Sequence, residues 1–211
     1  MIKIDKKQKC CGCSACVQVC PKQCIEMKED SEGFWYPQVK RDVCVKCGLC
    51  EQVCPIIQED SHKYSYEGIV SSYSAYSNKE EIRLASSSGG IFTILAEQII
   101  LDGGIVFGAA FDENYLVHHI AIDTIEGLSQ LRGSKYLQSR IENTYIEAKK
   151  YLDSDCNVLF SGTACQIAGL KRFLRKEYEN LLTVDVLCHG VPSQKVWKLY
   201  LDEKKKNSAC V

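Results

Sequence analysis

Residues 10–21 read CCGCSACVQVCP, and residues 44–55 read CVKCGLCEQVCP. In both stretches four cysteines are separated by two, two and three residues, and a proline follows the fourth cysteine. Each of the four cysteines in the first run recurs 34 residues later in the second run, so the two runs form an internal repeat. Two copies are too few to build a solenoid. The repeat instead predicts a small pseudo-twofold module.

The spacing within each run indicates two iron–sulfur clusters. Cysteines separated by two, two and three residues and followed by proline are typical of bacterial ferredoxins, where the fourth cysteine of a run ligates the other cluster. We therefore predict two [4Fe–4S] clusters whose ligand sets cross between the runs. The first set is Cys10, Cys13, Cys16 and Cys54, and the second set is Cys44, Cys47, Cys50 and Cys20.

Zinc is the alternative metal for cysteines at this density. Structural zinc sites commonly join two Cys-x-x-Cys pairs, or cysteines and histidines, around one ion. Two complete runs that each hold four cysteines and end in Cys-Pro fit this arrangement poorly. Iron–sulfur clusters are therefore the favoured interpretation, and a zinc-stabilised interaction protein stays open as a less favoured class.

Composition excludes several other classes of protein. The 26 Lys and Arg residues balance 27 Asp and Glu residues, which argues against a nucleic-acid-binding protein. The longest apolar stretch, residues 91–111, is interrupted by Glu97, Gln98 and Asp102, so no membrane insertion is expected. The amino terminus lacks an apolar signal core. We therefore expect a cytoplasmic protein, because in that reducing compartment dense cysteines bind metal instead of forming disulfides.

The chain divides into three parts by composition and pattern. The predicted boundaries are 1–58 for an α+β ferredoxin-like dicluster module, 59–79 for a linker and 80–211 for an α/β domain. Within the module, residues 24–28 and 34–39 flank a turn-like stretch and predict a short β-hairpin. The linker is rich in Ser, Tyr, Glu and Lys, and it includes one possible strand at residues 68–76.

Helical and strand patterns alternate in the third part of the chain. Ser88 is a plausible N-cap for the first of its helices, and a glycine pair ends that helix. The predicted elements are a helix at 91–101, strands at 105–111 and 117–122, a helix at 139–152, a strand at 157–160, a helix from 164 to about 178, a strand at 181–187 and a final helix from about 194. This alternation predicts a mostly parallel sheet.

Two polar segments follow strands of the predicted sheet, where α/β folds bind ligands. Ser161-Gly162-Thr163 comes after a strand and opens a helix, so its N–H groups could hold a phosphate. An ordinary capped helix start is an equally good interpretation of that segment. Cys188-His189-Gly190 comes at the end of the next strand. The sequence contains neither a Gly-x-Gly-x-x-Gly fingerprint nor a phosphate-binding Walker loop.

The remaining cysteines fall outside the run spacing. We interpret Cys11 as a spare thiol and Cys24 as a small apolar residue of the hairpin. Cys165 lies in the first turn of a predicted helix, where the helix dipole can lower a thiol pKa, although burial is the commoner outcome. Cys156 and Cys210 have no partner spacing and are assigned no role.

Five ordered motifs in the third part of the chain identify a family. They are Ser87-Ser88-Gly89-Gly90, Gly104-Ile105-Val106-Phe107-Gly108, Arg132-Gly133-Ser134-Lys135-Tyr136, the stretch VLFSGTACQ at 158–166, and Asp185-Val186-Leu187-Cys188-His189-Gly190. Together they resemble the coenzyme F420 hydrogenase/dehydrogenase beta subunit family, in its bacterial form with an amino-terminal two-cluster ferredoxin domain. Family members extend well beyond this length, so the resemblance also implies a truncated α/β domain.

The resemblance implies an iron–sulfur flavoprotein that exchanges electrons between its clusters and FAD. The flavin in turn would reduce or oxidise F420 or another substrate, and a redox partner protein or subunit would complete the path. The residues that the resemblance implies for cofactor contact are Ser88, Gly89, Gly90, Gly133, Ser134, Lys135, Tyr136, Gly162, Thr163, Gln166, Cys188 and His189. Lys135 would offset the pyrophosphate charge, and Cys188 and His189 would lie near the flavin or a further cluster.

Two functional hypotheses follow for a cluster-containing chain. The first is an oxidoreductase, or a subunit of one, in which a flavin converts the single electrons of the clusters into two-electron chemistry. The second is a ferredoxin-like electron-transfer protein with no catalytic activity of its own. Iron, sulfide and flavin content distinguish the two from each other and from the zinc protein.

Overall fold

The computed structural model of the chain describes residues 1–4, 6–58 and 71–208. The first part of the fold is a small module with two helices of one turn each and a hairpin. Its elements are α1 (Ala15–Gln18), β1 (Ile25–Glu29), β2 (Trp35–Val39) and α2 (Leu49–Gln52). Strands β1 and β2 pair antiparallel, with Ile25 opposite Val39. The predicted hairpin is therefore confirmed, and the two short helices lie within the two cysteine runs.

The second part is an α/β domain with one four-stranded sheet. Its elements are α3 (Glu80–Leu84), α4 (Ile91–Leu101), β3 (Ile105–Phe111), β4 (Val117–Ile122), α5 (Leu128–Leu131), α6 (Thr144–Asp153), β5 (Val158–Thr163), α7 (Ala164–Leu174), β6 (Leu181–Val186) and α8 (Gln194–Ser208). The strand order is β4-β3-β5-β6. Strand β5 pairs parallel with β3 and β6, and β4 pairs antiparallel with β3. The predicted fold class, a ferredoxin-like module followed by an α/β domain, is confirmed.

Alternate residues of the central strands face two different helical layers, as the period of a β-strand requires. On one face Phe107 and Phe160 pack with Tyr145 of α6 and Leu170 of α7. On the other face the side chains of β3 and β5 pack with α4 and α5. Because both faces of β3 and β5 are covered, these strands read as nearly continuous apolar runs in the sequence. No helix among the described residues is long and apolar enough to cross a membrane.

Several predicted elements have different ends in the structure. The helix predicted from residue 139 begins at Thr144, because the backbone of Arg140 pairs with β4 through hydrogen bonds to Val117 and His119. Strand β5 continues to Thr163 because it pairs with β6 along that whole length. Helix α7 ends at Leu174, four residues early, and the following Arg175 adopts a left-handed conformation.

The start of α4 also differs from the prediction. Gly90, with φ +79°, is its N-cap, and Ser88 lies two residues earlier. A left-handed cap favours glycine because a Cβ atom is strained there. Residues 59–70 of the predicted linker lie outside the described residues. In the described remainder, residues 71–76 form no strand, so that part of the strand predicted at 68–76 is wrong.

A buried histidine of β4, His119, forms a hydrogen bond with the carboxyl-terminal half of β5. His119 Nε2 donates to the Ser161 carbonyl at 2.8 Å, so Nδ1 accepts from the Ser139 hydroxyl at 2.6 Å. The imidazole stacks on the Phe160 ring. Burial lowers the pKa of His119 to about 4. The side chain is therefore a neutral member of the core with both nitrogens satisfied.

We expect the free energy of unfolding to decrease when the pH decreases from about 7.5 to about 5. In that range the unfolded chain binds a proton at His119 and the folded chain does not, so protonation favours unfolding by about 2 kcal/mol. Denaturant unfolding of the wild type and His119→Gln across this range measures the difference between their pH slopes. Equal slopes in the two proteins would show that His119 does not contribute the effect.

Candidate metal centres and their contact with the sheet

Two cavities lie in the amino-terminal module, and cysteines line both of them. The inner cavity is lined by Cys10, Cys13, Cys16 and Cys54, together with Cys11. The outer cavity is lined by Cys20, Cys44, Cys47 and Cys50, together with Cys24. In each cavity three of the predicted ligands come from one run and the fourth comes from the other run. The fold thus brings together the same cysteines that the crossed assignment groups.

The cysteines that line the two cavities form donor sets suited to iron–sulfur clusters. A zinc ion draws four ligands to within about 2.3 Å of one point. Among residues 1–4, 6–58 and 71–208, no three His, Cys, Asp or Glu side chains are placed to hold a single metal ion. Four cysteines, three from one run and the fourth from the other, are the ligands that [4Fe–4S] clusters use.

The internal repeat extends to unusual backbone conformations. Gly12 and Lys46 correspond in the repeat, and their φ angles are +64° and +54°. Ser14 and Gly48 also correspond, and both are left-handed N-caps, of α1 and α2 respectively. Left-handed residues beside right-handed ones turn successive N–H groups toward a common point, which favours anions. The backbone therefore suits the negative charge of a thiolate cluster at both cavities.

The two cavities differ in their surroundings. The inner cavity adjoins α7, where a Cβ atom on the buried Gly169 would come within 3.0 Å of Cys13 Cβ. The outer cavity lies toward solvent, since Cys47 is exposed and the nearby Val43 and Val45 are 48% and 57% exposed. Electrons at the inner cavity would therefore be close to the α/β domain, and electrons at the outer cavity would be close to the surface.

Gln18 links the module to the start of α6 through hydrogen bonds. Its Oε1 accepts from the N–H groups of Tyr145 and Ile146, at 3.0 and 3.2 Å. The first N–H groups of a helix have no partner within the helix, so this side chain serves as their cap. Gln52 is the corresponding residue of the repeat, and it is exposed. The two copies of the repeat therefore differ at this position, because Gln18 contacts the α/β domain and Gln52 is exposed.

We expect Gln18→Ala to decrease the free energy of unfolding by about 1 kcal/mol, which is the usual effect of losing a helix cap. The effect stays small because Gln18 Nε2 is buried without a described partner, so its removal offsets part of the loss. Gln52→Ala is the matched control and should change stability by less than about 0.5 kcal/mol. Denaturant unfolding of both variants tests this, and equal effects would contradict the capping role.

Two of the loops predicted to contact a cofactor meet in the structure. The Ser134 N–H donates to Ser87 Oγ at 2.7 Å, which joins the loop before α4 to the loop after α5. The Lys135 ammonium donates to the carbonyls of Gln130 and Arg132, at 3.0 and 2.8 Å. Burial lowers the pKa of Lys135 to about 8.

The other members of these loops surround that junction. Ser88, Gly89 and Gly90 lead into α4, and Gly133 lies beside Ser87. Tyr136 is 81% exposed and is available to a ligand or partner. Contact of these residues with a cofactor remains a prediction.

Gly162, Thr163 and Gln166 form a capped helix start. The Thr163 N–H donates to Gln166 Oε1 at 2.9 Å, and the Thr163 hydroxyl completes a capping box with the Gln166 N–H. Gln166 Nε2 donates to the Ser139 carbonyl. These donors are already used within the protein, which favours the capped start over phosphate binding by the same N–H groups. Cys188 and His189 lie exposed beyond the end of β6.

Of the two outcomes considered for Cys165, burial and a pKa lowered by the helix dipole, the structure favours burial, because the side chain is partly buried. The neighbouring Cys11 side chain and burial raise the pKa of the Cys165 thiol well above its ordinary value. Two further residues near the inner cavity were not predicted from the sequence: Gly169, and Gln138, whose Nε2 donates to the Cys11 carbonyl at 2.9 Å. For Gly169 a signal was present, because an isolated glycine within a helical pattern often marks close packing.

Three family profiles match the chain. A profile described as a 4Fe-4S dicluster domain matches residues 9–56. Profiles for the amino-terminal and carboxyl-terminal parts of the coenzyme F420 hydrogenase/dehydrogenase beta subunit match residues 72–144 and 155–211. The three matches follow one another in the order that the sequence motifs predict, and they leave only short stretches of the chain unmatched.

A solved structure resembles the chain in fold. It is a chain of the F420-reducing [NiFe] hydrogenase complex from Methanosarcina barkeri, with a TM-score of 0.50 and 21% sequence identity. The match covers 63% of this chain and 50% of that chain, so the chain corresponds to about half the length of this structural neighbour. A search among curated proteins finds no significant match.

Proposed function

Because the chain belongs to the coenzyme F420 hydrogenase/dehydrogenase beta subunit family and carries a 4Fe-4S dicluster domain, we propose that it is an iron–sulfur flavoprotein oxidoreductase or a subunit of one. The observation that carries this proposal is the direct packing of the inner cavity on α7, the helix that follows β5. That contact gives electrons a short route between the module and the α/β domain.

The eight predicted ligands that line the two cavities would hold the clusters, which supply one-electron transfer when bound. Backbone N–H groups that donate hydrogen bonds to the cysteine sulfurs would offset part of their negative charge. The Ile2 N–H, for example, donates to Cys50 Sγ at 3.2 Å. Hydrogen bonds to cluster sulfurs raise the reduction potential because they stabilise the additional negative charge.

The junction of the two loops around Ser87 and Ser134 is our candidate for the FAD pyrophosphate. Lys135 supports this choice, because its ammonium is partly buried and among the described residues it contacts carbonyls and forms no ion pair. An anion placed beside such an ammonium would stabilise its charged form. Ser88, Gly89, Gly90, Gly133 and Tyr136 would complete the contact, and a flavin held there would exchange electrons with F420 or another substrate.

A partner subunit or redox protein would exchange electrons at the outer cavity. The structural neighbour is part of a hydrogenase complex. The exposed Cys47 and the exposed apolar side chains of Val43 and Val45 support a protein contact at this end of the module. In this scheme electrons pass between the surface and the α/β domain through the outer and inner clusters in turn.

The second candidate function is electron transfer without catalysis. It is favoured by the start of α7, where the Thr163 N–H and the Gln166 side-chain amide, both in residues predicted to contact a cofactor, are hydrogen-bonded within the protein. In that case the α/β part would dock the module to a partner and would not bind FAD. The two candidates share the clusters and differ in the flavin.

Anaerobic purification followed by cofactor analysis tests the proposal. We expect about eight irons and eight sulfides per chain, together with a flavin absorption band after FAD is supplied. The same iron content without flavin binding would support the electron-transfer protein instead. Zinc without sulfide would overturn both candidates.

We expect Lys135→Ala to weaken FAD binding about tenfold, because the loss of one charge-assisted contact changes the binding free energy by roughly 1.4 kcal/mol. Lys150→Ala, at an exposed position of α6, is the matched control and should bind FAD like the wild type. Equilibrium titration of both variants with FAD measures the difference. Unchanged affinity in Lys135→Ala would exclude Lys135 from the flavin site.

A further inference from the structure

The mouth of the outer cavity carries positive side chains that the inner cavity lacks. Two charged side chains line the outer cavity, Lys22 and Lys46, and both are exposed. Among the described residues no Asp or Glu lines it, and neither lysine forms an ion pair. No charged residue from the same part of the chain lines the inner cavity. The positive charge therefore belongs to one of the two cluster sites.

The internal repeat does not account for these lysines. Gly12 corresponds to Lys46 in the first run, and Ile56 corresponds to Lys22 after the second run. Lys46 has a φ of +54°, in the left-handed region that glycine adopts without strain. Strained backbone positions are enriched at functional sites. A lysine here, where the equivalent loop has glycine, indicates that the ammonium group has a function at this mouth.

An apolar surface lies beside the two lysines. Val43 and Val45 are in the segment that leads to Lys46, and about half of each valine side chain is exposed. Cys47, which follows Lys46, is exposed as well. Specific protein interfaces commonly have an apolar centre and a polar or charged rim. The mouth of the outer cavity has this composition.

The acidic groups near this surface are balanced by other groups. Glu51 accepts from the Met1 ammonium at 3.2 Å. Asp42 is exposed and is adjacent in sequence to the exposed Arg41. A cluster held by thiolates is itself negative, and an electrostatic account of the site must include that charge. The two lysines offset it at the mouth, which removes a repulsion that an acidic partner would otherwise meet.

We propose that this surface docks an acidic one-electron carrier protein, whose carboxylates pair with Lys22 and Lys46 while an apolar patch packs on Val43 and Val45. The proposal rests on the proposed function, since it requires the outer cluster, and it names the chemistry of the redox partner. Complementary charges accelerate association and fix the orientation of the partner. One electron then passes between the carrier and the outer cluster, so that one is oxidised as the other is reduced.

The test uses the anaerobically purified holoprotein, with flavodoxin, an acidic one-electron carrier, as the probe. Calorimetric titration of the two oxidised proteins measures the dissociation constant without electron transfer. We expect binding to weaken when NaCl is raised from about 20 to about 200 mM, because salt screens exposed charges. Stopped-flow mixing with reduced flavodoxin should give a second-order rate constant with the same salt dependence.

Three variants identify the groups responsible. Lys46→Glu should raise the dissociation constant about tenfold at low salt and remove most of the salt dependence. Lys46→Gly should weaken binding less, and its denaturation midpoint should be at or above that of the wild type because the strain is removed. Lys150→Glu, at an exposed position of α6, is the matched control and should bind flavodoxin like the wild type. Iron and sulfide analysis shows that each variant retains both clusters.

Two results would overturn the proposal. One is equal binding of flavodoxin by the wild type and Lys46→Glu when both proteins hold both clusters. The other is a dimer of the wild type that Val45→Asp dissociates, since a second copy of the chain would then cover the surface. Salt-dependent binding by a sample that holds both clusters and no flavin, even after FAD is supplied, would support the docking surface and contradict the proposed flavoprotein.

Discussion

Cys20→Ala combined with Cys24→Ser should remove the outer cluster and leave the inner one, so that about half of the iron and sulfide is lost. The reason is the crossing of the ligand sets. Cys20 follows the first run in sequence, but its thiol lines the outer cavity with the three cysteines of the second run. An uncrossed ligand set would predict the opposite result, the loss of the cluster held by Cys10, Cys13 and Cys16.

The second substitution is needed because a neighbouring thiol can take the place of Cys20. Cys24 Sγ lies 3.4 Å from Cys20 Sγ and lines the same cavity. We therefore expect Cys20→Ala alone to retain more iron than the double variant. Cys24→Ser alone is the control, and it should retain both clusters because all eight predicted ligands are present.

Cys54→Ala is the reciprocal experiment. Its thiol lines the inner cavity, so we expect the loss of the inner cluster and the retention of the outer one. Iron and sulfide analysis gives the amount of each loss, and the electron paramagnetic resonance spectra of the reduced variants show which cluster remains. Cys20→Ala/Cys24→Ser and Cys54→Ala must leave different signals, and identical spectra from the two would refute the crossed assignment.

Helices and strands whose ends are marked by neighbouring residues in the sequence were predictable. Helix α4 and strands β3 and β4 have the predicted bounds. Their apolar patterns are long and are limited by glycine or polar residues, so local signals determine their ends. The cysteine runs belong to the same category, because their spacing within a few residues already indicates the clusters.

Features that depend on contacts distant in sequence were not predictable. Helix α6 starts later than predicted because Arg140 pairs with β4, a contact that the local sequence pattern does not indicate. The distinction between inner and outer cavities arises because Cys13 of the first copy packs on Gly169 of α7, whereas Cys47, its counterpart in the second copy, is exposed. Cys13 and Gly169 meet across more than a hundred residues of chain, so the repeat alone predicts two equivalent sites.

Gly169→Leu should displace the inner cluster and leave the outer one. A Cβ atom at this position would already lie 3.0 Å from Cys13 Cβ and 3.1 Å from Cys13 Sγ, so the larger side chain has no room unless the ligand moves. Overpacking of this kind typically costs about 1–3 kcal/mol even where no metal is bound. Here the strain falls on a predicted ligand, so we expect about half of the iron to be lost.

A graded series separates this effect from general misfolding. Gly169→Ala gains about 1 kcal/mol in helix propensity. This gain offsets the energetic cost of moving Cys13 by a few tenths of an ångström, so this variant should keep both clusters. Lys171→Leu places the same large side chain at an exposed position of the same helix and should also keep both. Iron analysis and paramagnetic spectra of the three variants show which clusters each variant keeps. If Gly169→Leu retained both clusters with unchanged spectra, Cys13 would not be held against α7, and the short route for electrons between the two domains would be lost with it.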